Sequence, residues 1–222
     1  MKKVLLTGFG DWAGSSANPA KAVADALDGE TISGALIKTI IAPSIFNEMI
    51  RSVTDEIDRM SPDVVIMMGE FGGRTMITVE RLAQNLIDAT RYDMGDMTGS
   101  RPQDAPVVPG GPVAYYSTLP LRAMVKEMRL AGIPADISDA AGTFGCNLLM
   151  YGVLHYIADN KLPIRAGWIH LPALPVTASL EKNVGMPSMS VATQVEGLRT
   201  AIKASVENEN DINDAIRSAW QF

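Results

Sequence analysis

Apolar and polar positions along the chain follow two periods. Val4-Leu5-Leu6 is a short apolar run that breaks at Gly8-Phe9-Gly10, which reads as a buried strand opening into a loop. That loop ends at Asn18-Pro19, an N-cap followed by a proline suited to the first helical position. The helix then runs through Val23 and Leu27 to a stop near Gly29. Ala35 to Ile41 reads as a second strand. Ile45, Met49, Val53 and Ile57 recur at helical spacing up to Met60, Ser61-Pro62 ends that helix, and Asp63 to Met68 is another continuous apolar strand. Continuous apolar strands separated by helices predict a parallel sheet covered on both faces. The fold class is therefore α/β, a three-layer sandwich with a twisted, mostly parallel central sheet.

The second half repeats the pattern after an interruption. Asn85 to Pro112 is rich in Asp, Gly and Pro and has little periodicity. A structureless loop of that length is unusual in a domain, so it reads as a hairpin or an ordered flap over a site. A helix follows from about Leu121 to Ala131, then a short strand from Ala135 to Ser138, and a helix after Cys146 that ends near Asn160. Arg165 to His170 reads as a strand, and Ser190 to Glu207 as a helix. Residues 208–222 are polar with one apolar cluster, Ile212, Ile216 and Trp220, and read as a short helix or a loosely held tail. No Pro/Gly/Ser linker divides the chain, so residues 1–222 are read as one domain.

Composition narrows the function classes. A net charge of −6 over 222 residues argues against a nucleic-acid partner, which needs a basic patch. The first apolar run stops at Gly8, too early for a leader, and no apolar stretch approaches the roughly 20 residues that cross a bilayer. The single cysteine cannot form an internal disulfide and fits a reducing cytoplasm. With one Cys and two His, a Cys/His zinc site is not expected. Gly8, Gly10 and Gly14 lack the G-x-G-x-x-G spacing of a nucleotide loop.

The chemistry-bearing stretch is Asp139 to Gly152, small residues leading into an apolar run at helical spacing, with Cys146 at the turn. A helix start offers free N–H groups and a partial positive charge, which lower a thiol pKa and can receive an oxyanion. Cys146 is thus either a nucleophile or a small buried apolar residue. His155 lies nine residues on, about 13 Å along the same helix and facing away, so it cannot serve the sulfur. His170 ends a strand. In a parallel sheet that end shares a side with the other strand-to-helix loops, where ligands bind, so it can meet Cys146. The loops at Gly8 and Gly69 are neighbours on the same argument. Glu80, on residues alone, is either functional or a surface carboxylate paired with Arg74 or Arg81.

Four stretches resemble one family. Ala141-Gly142-Thr143-Phe144-Gly145-Cys146-Asn147 is similar to the nucleophile motif of the type I pyroglutamyl peptidases, also called pyrrolidone-carboxylate peptidases. The opening Val4 to Phe9 with Asn18-Pro19, the segment Thr75 to Asn85, and Trp168-Ile169-His170-Leu171-Pro172 resemble it too, so the likeness runs from Lys3 to about Glu207. It implies a cysteine exopeptidase that hydrolyses the bond after an N-terminal pyroglutamate through a thioester. Cys146 would be the nucleophile, His170 the base and Glu80 the acidic member. Phe9, Trp12, Asn18, Glu70 and Phe144 would surround the substrate, and Arg91 with the Cys146 backbone would face the oxyanion. The resemblance also implies a homo-oligomer, a tetramer, with no metal and no cofactor.

The departures from the family pattern cluster at the pocket. Trp12 falls where the family has the phenylalanine that packs on the pyroglutamyl ring. Glu70 stands for a glutamine and Gly145 for a valine. In Ala89-Thr90-Arg91 the arginine is displaced by one. The rival readings are a related cysteine amidohydrolase with another small-amide substrate, and a homologue that binds a small ligand without turnover.

Overall fold

Along β1 (Lys3–Phe9) successive side chains face opposite ways and both faces are buried. Val4 and Leu6 enter one core cluster, Leu5 and Phe9 the other. This is what an apolar run without alternation requires, and it makes β1 a central strand. The computed structural model describes residues 1–10, 12 and 17–218. After β1 come α1 (Pro19–Leu27), β2 (Thr31–Ile32), β3 (Ala35–Ala42), α2 (Phe46–Met60), β4 (Val64–Glu70), β5 (Ile77–Glu80) and β6 (Leu82–Gln84). Then follow β7 (Ala114–Tyr116), α3 (Leu121–Leu130), β8 (Ala135–Ser138), α4 (Gly145–Asp159), β9 (Arg165–Leu171), α5 (Pro175–Ala178) and α6 (Val191–Glu207).

The main sheet has the order β2-β3-β1-β4-β9-β5-β8. Neighbours from β3 to β9 are parallel, as are β5 and β8, while β2 and β5 run antiparallel to β3 and β9. One face is covered by α1, α3 and α6 and the other by α2 and α4. The three-layer α/β expectation therefore holds, with two antiparallel junctions.

The irregular stretch after β6 is an ordered flap. Strands β6 and β7 pair antiparallel at its base, Ile87 bridges Ala105, and Asn85 bonds Val108 in both directions. Asp96, buried at its tip, accepts the Phe46 N–H at 3.0 Å and so caps α2, which has no side-chain cap of its own. Residues 208–218 contain no helix, and the tail is held rather than loose. Asp211 accepts the Arg122 and Ala123 N–H groups at the start of α3, Arg129 Nη1 donates to the Arg217 carbonyl, and Ile212 and Ile216 pack on the core. Trp220 lies outside the described residues.

Candidate active site

Gly142, at φ +81°, turns the loop that delivers Cys146 to the head of α4. The first intrahelical bond there is Leu148 N–H to the Phe144 carbonyl, and Phe144 supplies no side-chain cap. The N–H groups of Gly145, Cys146 and Asn147 thus lie outside the helical ladder. Asn147 is fully buried. Its amide accepts the Gln84 N–H at 2.8 Å and donates to the Gln84 and Leu86 carbonyls, which ties the helix head to the flap base.

The sulfur lies over the β4–β9 seam. A methyl group at Gly69 would come within 3.0 Å of Cys146 Sγ and 2.6 Å of the Trp168 ring, so only glycine fits there. Gly69 is the register partner of His170. Cys146 and His170 therefore stand at one level of the sheet, both lining one cavity. The two do not share a strand-end side as a wholly parallel sheet would require: β8, which feeds the cysteine loop, runs opposite to β9, because β5 between them is antiparallel to β9.

The same reversal brings in Glu80. Antiparallel pairing sets Thr78 opposite His170 and Glu80 opposite Trp168, and Glu80 reaches diagonally to His170. His170 Nδ1 lies 2.7 Å from Glu80 Oε1, with exposures of 1% and 0%. An ionised carboxylate only accepts, so Nδ1 carries the proton and Nε2 is left as an acceptor. Arg74 Nη1 donates to the same oxygen at 2.8 Å. The surface-carboxylate reading of Glu80 is corrected: it is buried, and it pairs with Arg74 and His170 together.

Electrostatics also corrects the expectation of a lowered thiol pKa. Burial, then the charge of Glu80, pushes Cys146 up to about 12, with a further upward push from Glu70, and the backbone N–H at the helix head and the Arg74 charge oppose this without prevailing. Burial also lowers His170 below its ordinary value, against the pull of Glu80. Burial alone would raise Glu80, but the His170 bond and the charges of His170 and Arg74 outweigh it and hold it low. The resting pair is a neutral thiol and a neutral imidazole beside an ionised carboxylate.

The cavity is about 500 Å³. Phe9, Trp12 and Phe144 line it, with Trp12 edge-on to Phe144 at 4.9 Å and to Phe9 at 6.0 Å. Asn18 also lines it, but its amide caps α1 through Ala20 N–H and holds the Gly10 carbonyl. Glu70 lines it half-buried, and burial raises its pKa. Arg91 does not line it. It is exposed on a single turn, its guanidinium 5.3 Å from the Tyr92 ring centre. Phe71, Tyr92 and Met94 line the cavity and were not expected. Phe71 follows the strand end where ligands bind and was legible, whereas Tyr92 and Met94 arrive by the flap's folding. His155 bonds Tyr115 at 2.9 Å, away from the cavity. Among the described residues no group of three or more His, Cys, Asp or Glu is placed to hold a metal ion.

A thiol at a helix head, a buried imidazole–carboxylate pair and a mainly apolar cavity on an α/β sheet are the parts of a cysteine hydrolase. Comparison with known proteins narrows the class. Residues 2–208 match the family model described as pyroglutamyl peptidase. The chain is 52% identical to the pyrrolidone-carboxylate peptidase of Mycobacterium tuberculosis strain H37Rv over 100% of both chains. It is 44% identical to that of Bacillus mycoides over 96% of each. Among solved structures, pyroglutamyl peptidase I of Bacillus amyloliquefaciens superposes with a TM-score of 0.90 at 37% identity, covering 96% of this chain and 100% of that one. Pyrrolidone carboxyl peptidase of Thermococcus litoralis gives 0.91 at 34% identity, covering 97% and 100%. The chain belongs to the pyroglutamyl peptidase family, a family of peptide hydrolases.

Proposed function

We propose that this protein hydrolyses the amide bond after an N-terminal pyroglutamate, with Cys146, His170 and Glu80 as its catalytic triad. The observation that carries the triad is the fully buried His170–Glu80 pair at 2.7 Å on the cavity that Cys146 lines. The resting pair is uncharged, so His170 Nε2 takes the thiol proton as the sulfur attacks the carbonyl. Free N–H groups at the head of α4 receive the oxyanion in place of Arg91. His170 then gives its proton to the leaving amine. Water, deprotonated by His170, cleaves the thioester and frees pyroglutamate. Glu80 keeps the imidazole oriented and stabilises its cation. Phe9, Trp12 and Phe144 form apolar walls for a flat ring, and Asn18 and Glu70 stand at its polar edge.

The reading extends to the whole molecule. Residues 1–222 act as one domain with a pinned tail from about 208. No helix among the described residues is long and apolar enough to cross a membrane, and a lone thiol suits the cytoplasm. A homotetramer follows from the family resemblance, with exposed Val113, Tyr116 and Val184 as candidate contacts. Light scattering of the purified protein reads that assembly directly.

A chromogenic pyroglutamyl amide tests the reaction. Wild type turns it over, Cys146→Ala abolishes turnover, and His170→Ala costs several orders of magnitude while His155→Ala is nearly silent. Turnover surviving in Cys146→Ala ends the thiol mechanism. No wild-type turnover with fast alkylation of Cys146 points to another small amide, and an inert thiol to a binding protein.

A further inference from the structure

Arg74 stands outside the cavity and contacts the candidate site from behind Glu80. Its Nη1 donates to Glu80 Oε1 at 2.8 Å and to the Thr78 hydroxyl, and Nη2 donates to the Ser138 hydroxyl at 3.3 Å. Its guanidinium lies 4.1 Å from the centre of the Phe71 ring. Phe71 in turn meets the His170 ring edge-on, with centroids 5.3 Å apart at 77°. A turn at Gly73, φ +90°, closed by Arg74 N–H to the Phe71 carbonyl, folds the loop back so that this stack forms. The result is a closed circuit, Arg74 to Glu80 to His170 to Phe71 and back to Arg74.

The proposed cycle needs such a group. His170 is neutral at rest and cationic once it has taken the thiol proton. Glu80, at 0% exposure, is then a buried carboxylate facing a partner that is uncharged for part of each turnover. Its other oxygen, Oε2, is buried with no hydrogen-bond partner. A buried carboxylate without a fixed counter-charge either takes up a proton or pulls its partner out of place. An arginine cannot lose its charge, and its planar fork fits several acceptors at once.

We propose that Arg74 is a positioning residue for the reaction, a permanent counter-ion that keeps Glu80 ionised and aimed at His170 through both charge states of the imidazole, with Phe71 fixing the other side of the ring. This rests on the triad reading above. The charged and titratable groups around His170 are Glu80 on β5, Arg74 on the loop after β4, Cys146 at the head of α4 and Glu70 at the end of β4. The charge of Arg74 holds His170 and Glu80 down and also favours the Cys146 thiolate. Its removal therefore raises the His170 pKa. Because the base must be neutral, the acid limb of the activity profile then moves to higher pH.

The experiment compares wild type, Arg74→Met, Arg74→Lys, Glu80→Gln and the double variant Arg74→Met/Glu80→Gln. It measures kcat and KM against pH with a pyroglutamyl amide, and the His170 ring proton by NMR, assigned through His155→Gln in a chain with two histidines. Expected for Arg74→Met is a loss of about ten- to a hundredfold, in kcat more than KM, as for groups that orient a reactive side chain through a hydrogen bond. The His170 titration and the acid limb shift upward together. Arg74→Lys restores the limb and part of the rate. The double variant loses no more than Glu80→Gln alone, since Arg74 acts through Glu80. If Glu80→Gln is costly while Arg74→Met keeps the wild-type rate and profile, or if the two losses multiply, the role of Arg74 is overturned and the triad stands. If Glu80→Gln is itself silent, the triad reading fails and this proposal fails with it. Should Arg74→Met not fold, Arg74→Gln takes its place, and a wild-type rate with an unmoved His170 titration in that variant overturns the role.

Discussion

A methyl group added at Gly145 would lie 3.1 Å from Trp12 Cη2, closer than nearly all real contacts. Two departures from the family pattern, a larger ring at 12 and no side chain at 145, thus occupy one space and offset each other. Gly145→Val should crowd Trp12 and cost about 1–3 kcal/mol, the usual range for overpacking. Adding Trp12→Phe should recover most of it in both melting temperature and kcat/KM, and losses that simply add contradict the coupling. Glu70 is the departure with charge. Its carboxylate raises the Cys146 pKa, so Glu70→Gln should let iodoacetamide react at lower pH, with kcat/KM changing by less than about tenfold. An alkylation profile that stays put or moves up contradicts this. Likeness to the family motifs singled out Cys146, His170 and Glu80, and position alone preferred His170 to His155. The thiol's raised pKa was not legible, because burial and the approach of Glu80 are tertiary facts, and a helix start by itself argues the other way.

Elements with strong periodicity stand where the pattern put them: Pro19–Leu27, Phe46–Met60, Leu121–Leu130 and Val191–Glu207 are helices. What the pattern did not carry is β5, which was not read as a strand, or its direction. Ile77–Glu80 is four residues long and fully buried, with nothing in its composition to say that it pairs antiparallel with β9. Yet that reversal sets Glu80 diagonal to His170. The flap was legible as ordered from its length alone, but its anchors were not, since Asp96 finds Phe46 across the fold. Besides capping α2, Asp96 accepts the Thr98 and Ser100 N–H groups. Asp96→Ala should therefore cost about 1–2 kcal/mol, the upper range for an N-cap. It should also raise hydrogen exchange in the first turn of α2 and at residues 94–100, leaving α6 unchanged. Uniform protection across both segments would show that the cap carries little.

For the whole molecule, layers and core were readable from hydrophobic runs, because a strand buried on both faces cannot alternate. Strand order was not, since it depends on which edges meet after the chain collapses. The buried His170–Glu80 pair couples this fold to pH. His170 is held below the ordinary histidine value of about 6.5, so the unfolded chain binds more protons than the folded one as pH falls through that value. Glu80, held low, acts the same way further down, while Glu70, raised by burial, acts oppositely. The melting temperature should fall from pH 7.5 to 5.5, and less steeply in His170→Gln. A flat wild-type curve contradicts a buried neutral imidazole. The central claim is that Cys146 carries the acyl group during turnover. It is tested most directly by acid-quenching the enzyme in the steady state with a pyroglutamyl amide and mapping the peptides by mass spectrometry. The account predicts one pyroglutamyl group on the peptide containing Cys146, absent from Cys146→Ala and sensitive to hydroxylamine. An acyl group on any other residue, or full turnover in Cys146→Ala, contradicts it.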